Sequence, residues 1–345
     1  MVIKVGIVGC GFVGNIHLKA YREVKGVEVI ACCDVNEERA KKFAEENNIK
    51  HHYKAYKKMI ENENLDVLSV CTPNYAHKEP TVMALNTGIN VLCEKPMAMN
   101  AKEAFEMLQA YKKSKKILTI GHHHRFNSES QVLKRFINGG VIGEIYYGRS
   151  QSLYRNFIPW WGEFHLKKKS GGGTLIDTGV HLIDLILWLM GFPEVKSVSG
   201  ATYAKFGNRK PAKDEPWGFC KWKEYDVEDF ASGYVRFKNG ATLVIESAWV
   251  SNIEENWKGT QQLIGDKGSA TINPLKICSG MHNTLVDITP VQLPQVNPHN
   301  EEIKWFIDCV RGEREILVKP EESYTVQRIM DAIYKSSEMK KEIQL

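Results

Sequence analysis

Apolar and polar positions follow two rhythms along this chain, and one gives way to the other near residue 122. Before that point, short apolar runs rich in β-branched residues (2–8, 27–33, 67–71, 90–93 and 117–120) alternate with amphipathic stretches (13–24, 37–46, 78–86 and 101–113). Strands separated by helices of this length predict a parallel sheet with right-handed crossovers. Past residue 122, a helix over 129–138 ends at Gly139-Gly140, a strand follows over 145–154, and an apolar helix covers 175–190. Beyond Gly191, strand patterns follow one another without helices between them. The runs 234–237 and 241–249 flank Asn239-Gly240, a strong hairpin signal. This part predicts an antiparallel or mixed sheet, followed by helices near 301–311 and 321–341. The polar stretch 205–229, broken by Pro211, Pro216 and Gly218, reads as an irregular excursion of a kind that is often functional.

The pattern is that of an α/β fold in two domains, a doubly wound parallel sheet over 1–122 and a second α/β domain over 123–345. A length of 345 residues agrees with about two domains. A hydrophobic share of 43% supplies two cores and excludes a disordered chain. The net charge of +5 falls short of the clustered basic excess of a nucleic-acid binder, so no such partner is expected. The opening apolar run is too short for a secretory signal, and no stretch approaches the length of a bilayer span, so no membrane partner is expected either. The eight cysteines show no Cys-x-x-Cys spacing. They read as free thiols of a reducing cytoplasm, without disulfides or a zinc site.

Gly9-Cys10-Gly11-Phe12-Val13-Gly14 follows the first strand and opens the first helix. The first glycine permits a tight turn, the second a close approach to a pyrophosphate, and the third close packing of helix on strand. The helix N-terminus faces the phosphate charge. Asp34 ends the second strand, twenty positions after Gly14, where an acid accepts hydrogen bonds from an adenosine ribose. That position favours NAD over NADP, although Arg39 could reach a 2′-phosphate. Capping of the following helix is the structural alternative for Asp34.

Glu94-Lys95-Pro96 sits just after a strand, on the side where doubly wound sheets bind ligands. A lysine there can act as acid or base if its surroundings lower its pKa. Asp177, His181 and Asp184 lie at i, i+4 and i+7 on the apolar helix, so a polar stripe crosses a segment expected to be buried. Such a stripe needs partners, and His181 is a natural proton carrier with Asp177 one turn earlier. No third ligand makes this pair a metal site. Nor do His122-His123-His124 read as a metal tract, because adjacent side chains diverge. No metal is expected.

These residues resemble the Gfo/Idh/MocA oxidoreductases over nearly the whole chain. The resemblance rests on Gly9–Gly14, Thr72-Pro73-Asn74 with His77, Glu94-Lys95-Pro96, Arg125-Phe126 and the segment from Gly172 to His181, followed by Val227-Glu228-Asp229 and the Asn239-Gly240 hairpin. It implies an N-terminal Rossmann domain and a C-terminal α/β domain with an open, mostly antiparallel sheet. That sheet's face would form a homodimer or homotetramer. The resemblance implies Lys95, Asp177 and His181 as the catalytic group. It implies Gly9, Gly11, Phe12, Val13, Gly14, Asp34, Thr72, Pro73, Asn74, His77, Glu94 and Lys95 around NAD, and a cis Lys95-Pro96 bond.

The loop 154–165 is the leading specificity candidate, since aromatic faces stack on sugars while Arg, Asn, Glu and His bond hydroxyls. Arg155, Trp160, Trp161 and His165 there, with Arg125, Asp177 and His181, are the expected substrate contacts. Ordinary core packing is the alternative for the two tryptophans. Trp217 and Trp222 form a second candidate. The expected reaction is hydride transfer between NAD and a secondary alcohol carbon of a sugar, sugar derivative or cyclitol. The same residues would serve a redox-neutral, NAD-dependent glycosidase. A non-catalytic nucleotide sensor is disfavoured by the intact Lys95, Asp177 and His181.

Overall fold

The computed structural model describes residues 2–210 and 219–345; Trp217 lies outside them. In chain order the first elements are β1 (Ile3–Val8), α1 (Phe12–Glu23), β2 (Val27–Cys33), α2 (Glu37–Glu46), β3 (His51–Tyr53), α3 (Tyr56–Asn62), β4 (Val67–Val70), α4 (Lys78–Asn86), β5 (Asn90–Cys93), α5 (Ala101–Ser114) and β6 (Leu118–Ile120). The next are α6 (Ser128–Asn138), β7 (Ile145–Leu153), a single turn α7 (Lys167–Ser170), a π-turn (Leu175–Gly179), α8 (Val180–Met190), β8 (Val195–Tyr203), β9 (Phe230–Phe237), β10 (Thr242–Ala248) and β11 (Trp257–Gly265). The last are β12 (Gly268–Ile272), β13 (Lys276–Met281), β14 (Thr284–Ile288), α9 (Pro298–Val310), α10 (Pro320–Met339) and β15 (Ile343–Gln344).

Two compact units result. One is Met1–Phe126 with Val296–Tyr324, and the other is Asn127–Gln295 with Thr325–Leu345. The expected division at 122/123 falls near the first crossing but does not anticipate the return of Val296–Tyr324. That return has a packing cause. Helix α9 adds Ile303, Phe306 and Ile307 to the core formed by Val5, Ile7, Leu18, Tyr21 and Phe43.

The first unit holds a six-stranded sheet in the order β3-β2-β1-β4-β5-β6, with every pairing parallel. Its order reverses between β1 and β4, the topological switch point where such sheets bind ligands. The other face of the sheet carries Met59, Leu85, Met107 and Leu108 against Leu68, Val70 and Val91. Burial on both faces explains why these strands read as near-continuous apolar runs. The β3–α3 pair escaped the sequence pattern because His51-His52-Tyr53 is short and polar.

The second unit holds a nine-stranded sheet, β14-β13-β12-β11-β7-β10-β9-β8-β15, in which only β7 and β10 pair in parallel. Residues alternate between buried and half-exposed along β9 and β10, so helices cover one face. The Asn239-Gly240 hairpin joins β9 to β10, with Gly240 at φ 90°. The stretch Lys167–Met190 does meet the length and hydropathy of a bilayer span, contrary to the sequence expectation. Its apolar window is 78% buried inside the protein, which makes it a core helix.

Candidate active site

The glycine loop is shaped for a dinucleotide. Gly9 has φ 100°, and a Cβ there would lie 2.5 Å from the Cys71 carbonyl oxygen. A Cβ on Gly14 would lie 2.1 Å from the Gly9 carbonyl oxygen. Neither position tolerates a side chain. At Gly11, by contrast, nothing lies within 4 Å of the Cβ position, so the loop is open there. Helix α1 starts at Gly11 with no side-chain cap and no acid in its first turn. Asn36, Asn100 and Asn297 cap α2, α5 and α9 of the same unit. An uncapped N-terminus behind an open glycine fits the pyrophosphate of NAD.

Asp34 is buried and braces this loop. Its carboxylate accepts from the Cys10 amide at 3.1 Å and from the Asn36 amide at 2.9 Å. The Arg39 guanidinium lies 3.5 Å from it, turned toward the acid. Phe12 and Val35, 82% and 83% exposed, supply apolar surface beside these residues. Thr72 follows β4, and its hydroxyl is buried without a hydrogen-bond partner, as suits a residue that serves a ligand. Asn74 is buried next to it, and Pro73 is exposed. His77 is placed differently from expectation. It is fully buried, with its ring nitrogens 2.8 Å from the Pro96 and Thr72 carbonyls. It ties two loops together, one of them the loop of Thr72.

Lys95 is half-buried after β5, and the Lys95-Pro96 bond is cis. Glu94 turns inward instead of lining a surface. Its carboxylate meets His17 Nε2 at 2.9 Å and the Lys95 amide at 3.2 Å. Gly121 makes room, since a Cβ there would lie 2.9 Å from that carboxylate. His17 is fully buried on α1 and also meets Ser69 Oγ at 2.7 Å. Burial raises the Glu94 pKa, but the hydrogen bond and charge of His17 outweigh it and bring it to about 2. Burial lowers the His17 pKa, but Cys71 and Glu94 facing the ring hold it well above the usual value. The pair is therefore a buried ion pair. No motif pointed to His17; a histidine on a helix face expected to be apolar was the only signal.

In the second unit, Asp177 and His181 are half-buried, while the helix around them is almost wholly buried. Asp184, the third member of the stripe, is fully buried. Asp177 lies in the π-turn that precedes α8, a distortion common at functional sites. The segment is clamped from below by Glu228. Its carboxylate accepts from the amides of Gly173 at 2.8 Å and Leu175 at 2.9 Å, and from the Tyr334 hydroxyl at 2.8 Å. Gly173 must lack a side chain, since a Cβ would lie 1.9 Å from the Glu228 carbonyl oxygen. The Trp249 indole N–H donates to Asp177 Oδ2 at 3.2 Å.

Three of the expected substrate contacts are core residues. Arg125 is fully buried, and its guanidinium is held by the Leu317 carbonyl and the Glu322 carboxylate. Trp160 and His165 are buried in an aromatic cluster with Ile158, Tyr225, Val227 and Trp249, edged by Phe157 and Trp222. A residue type announces chemistry but not burial, and here packing claimed these side chains. Trp161 is 46% exposed and Arg155 is exposed, its amide held by Asn256. His123 stacks on His299 with ring centroids 4.0 Å apart. Burial, then the neighbouring His124, His299 and Lys95 charges, holds the His123 pKa well below the ordinary value.

Comparison with known proteins agrees with this geometry. Residues 3–122 match the family model of the oxidoreductase family with an NAD-binding Rossmann fold. Residues 134–345 match that family's C-terminal α/β domain. The chain is 34% identical to D-glucoside 3-dehydrogenase of Escherichia coli (strain K12) over 346 residues, covering 99% of this chain and 97% of that one. It is 29% identical to myo-inositol 2-dehydrogenase of Thermotoga maritima over 246 residues, covering 71% and 68%. A levoglucosan dehydrogenase solved with NADH and L-sorbose shares the fold, with a TM-score of 0.86 at 21% identity over 100% of this chain and 99% of that one. The chain belongs to the Gfo/Idh/MocA family of NAD-dependent oxidoreductases.

Proposed function

We propose that this protein oxidises, reversibly, a secondary alcohol carbon of a sugar, sugar derivative or cyclitol. The observation that carries the reading is the half-buried Asp177–His181 pair on an otherwise buried apolar helix. The relatives named for D-glucosides and myo-inositol support the substrate class. NAD, held at the open Gly11 and the N-terminus of α1 with Phe12 and Val13 in that first turn, supplies the hydride acceptor. Asp34 takes the adenosine ribose, and Thr72, Pro73 and Asn74 take the second ribose. Lys95 or His181 accepts the hydroxyl proton as the carbinol C–H bond breaks. Asp177 keeps that proton transfer in register. Lys95 and His181 are the two candidates that make up the acid–base unit of this reading. Among the expected substrate contacts of the loop 154–165, Trp161 and Arg155 are exposed and remain to contact hydroxyls.

The test is a panel of sugars, glycosides and cyclitols followed both for NADH and for released aglycone. NADH formation is expected. Aglycone release without net NADH would replace this reading with the redox-neutral glycosidase. Silence across the panel would favour a nucleotide-binding sensor. Lys95→Ala and His181→Ala should each lower turnover by about a hundredfold or more while NADH still binds; near-normal turnover in either removes that residue from the acid–base unit.

The same reading includes a homodimer or homotetramer through the half-exposed face of β7, β10, β9 and β8, where Tyr147, Arg149, Tyr234 and Glu246 line a shallow recess. Light scattering giving a monomer mass would remove it. A cytoplasmic location is supported by the eight free cysteines.

A further inference from the structure

We propose that Trp249 is a positioning residue for turnover, acting through Asp177; this rests on the reading of Asp177 given above. Hydrogen bonds from Ser247 in β10 and from Trp249, just past its end, grip the start of the catalytic helix. Ser247 Oγ lies 2.8 Å from Thr174 Oγ1 and donates to the Thr174 carbonyl at 3.1 Å. Two residues along, the Trp249 indole N–H donates to Asp177 Oδ2. The end of β10 is thus stapled to the start of the helix at two points, Thr174 and Asp177.

The staple has a specific purpose at Asp177. This residue sits in the π-turn, which departs from a regular α-helix although the Asp177 amide itself still donates to the Gly173 carbonyl at 3.0 Å. Helix geometry alone therefore does not aim its carboxylate, and a tether does. Trp249 is well suited to hold it. The ring is fully buried in the cluster with Trp160, Tyr225 and Val227. Its own amide donates to the Asp229 carbonyl at 2.9 Å, next to the Glu228 that clamps the amides of Gly173 and Leu175. A buried indole N–H requires an acceptor, and a bond to a carboxylate is the stronger, charge-assisted kind. Position of the acid is thus inherited from a rigid core.

The test uses the intact chain with a substrate from the panel. Trp249→Phe removes the N–H and keeps an aromatic ring. Replacing the indole by benzothiophene, with sulfur in place of the N–H, does the same at nearly equal volume. Both should lower kcat by about tenfold, the worth of one lost charge-assisted hydrogen bond in the transition state, with KM and the NADH Kd unchanged. Unchanged kcat in the benzothiophene variant overturns the proposal, because any loss in Trp249→Phe is then one of packing. A loss confined to KM or to NADH binding overturns it too, because Trp249 is then part of a binding wall. Asp177→Asn separates the two readings. If it retains full turnover, the role of Asp177 itself has failed; if it is inactive while Trp249→Phe is normal, only the role of Trp249 has failed.

Discussion

His17 and Glu94 show how one buried pair makes stability depend on pH in two directions. The folded Glu94 pKa is about 2 against an ordinary 4.5, so its contribution is present above pH 4.5 and is lost as pH falls toward 2. The folded His17 pKa lies above its ordinary 6.5, so its contribution is present below pH 6.5 and is lost as pH rises through the folded value. The pair therefore stabilises most between pH 4.5 and 6.5. Thermal melts of His17→Asn across pH 3 to 9 should show the largest deficit inside that window; a deficit independent of pH would dismiss the ion pair. At Asp34, Asp34→Ser should relax the preference for NAD over NADP by removing the acid that repels a 2′-phosphate, as read from kcat/KM for each cofactor. Legibility at this scale followed chemistry that spacing can carry. Gly9 and Gly14 were readable because no side chain fits there, Gly11 because the motif spacing carries it, and Asp177 with His181 because polar groups interrupt an apolar face. The burial of Arg125, His77, Trp160 and His165 was not legible, because residue type does not report which side chains the core encloses.

The element that matters most is the segment from Gly171 to Met190. Its start has no N-cap side chain, and Glu228 takes that part from across the unit. Burial raises the Glu228 pKa, although the Leu175 and Gly173 amides and the Tyr334 hydroxyl pull it down. Tyr334→Phe removes one of these donors and should cost about 1–2 kcal/mol in denaturant unfolding, with the NADH Kd unchanged. Gly173→Ala forces a methyl against the Glu228 backbone and should abolish turnover, or the soluble fold itself. An active, stable variant would show that this approach can relax. Helix existence here was legible from hydropathy, whereas the π-turn was not. A run of apolar residues fixes that a segment is helical and buried, but an extra residue in one turn depends on what the neighbouring strand holds.

At the level of the molecule, the alternation of strand and helix made the parallel sheet legible, and the Asn239-Gly240 turn made part of the second sheet legible. What remained hidden was the return of Val296–Tyr324 to the first unit. An amphipathic helix announces an apolar face but not the surface that covers it. The faces of α1 and α9 meet through Leu18, Tyr21, Ile303, Phe306 and Ile307. A fragment ending at residue 126 should therefore aggregate, and the same fragment joined to 296–324 by a flexible linker should stay soluble and bind NADH in titration. The discontinuity also orders events during synthesis. At the usual pace of translation, roughly ten to thirty seconds separate the emergence of Phe126 from that of α9. Through that interval the nucleotide-binding half waits with part of its core unsealed. The second unit closes later still, because Thr325–Leu345 belongs to it, so each half is sealed by a segment made after the bulk of the other.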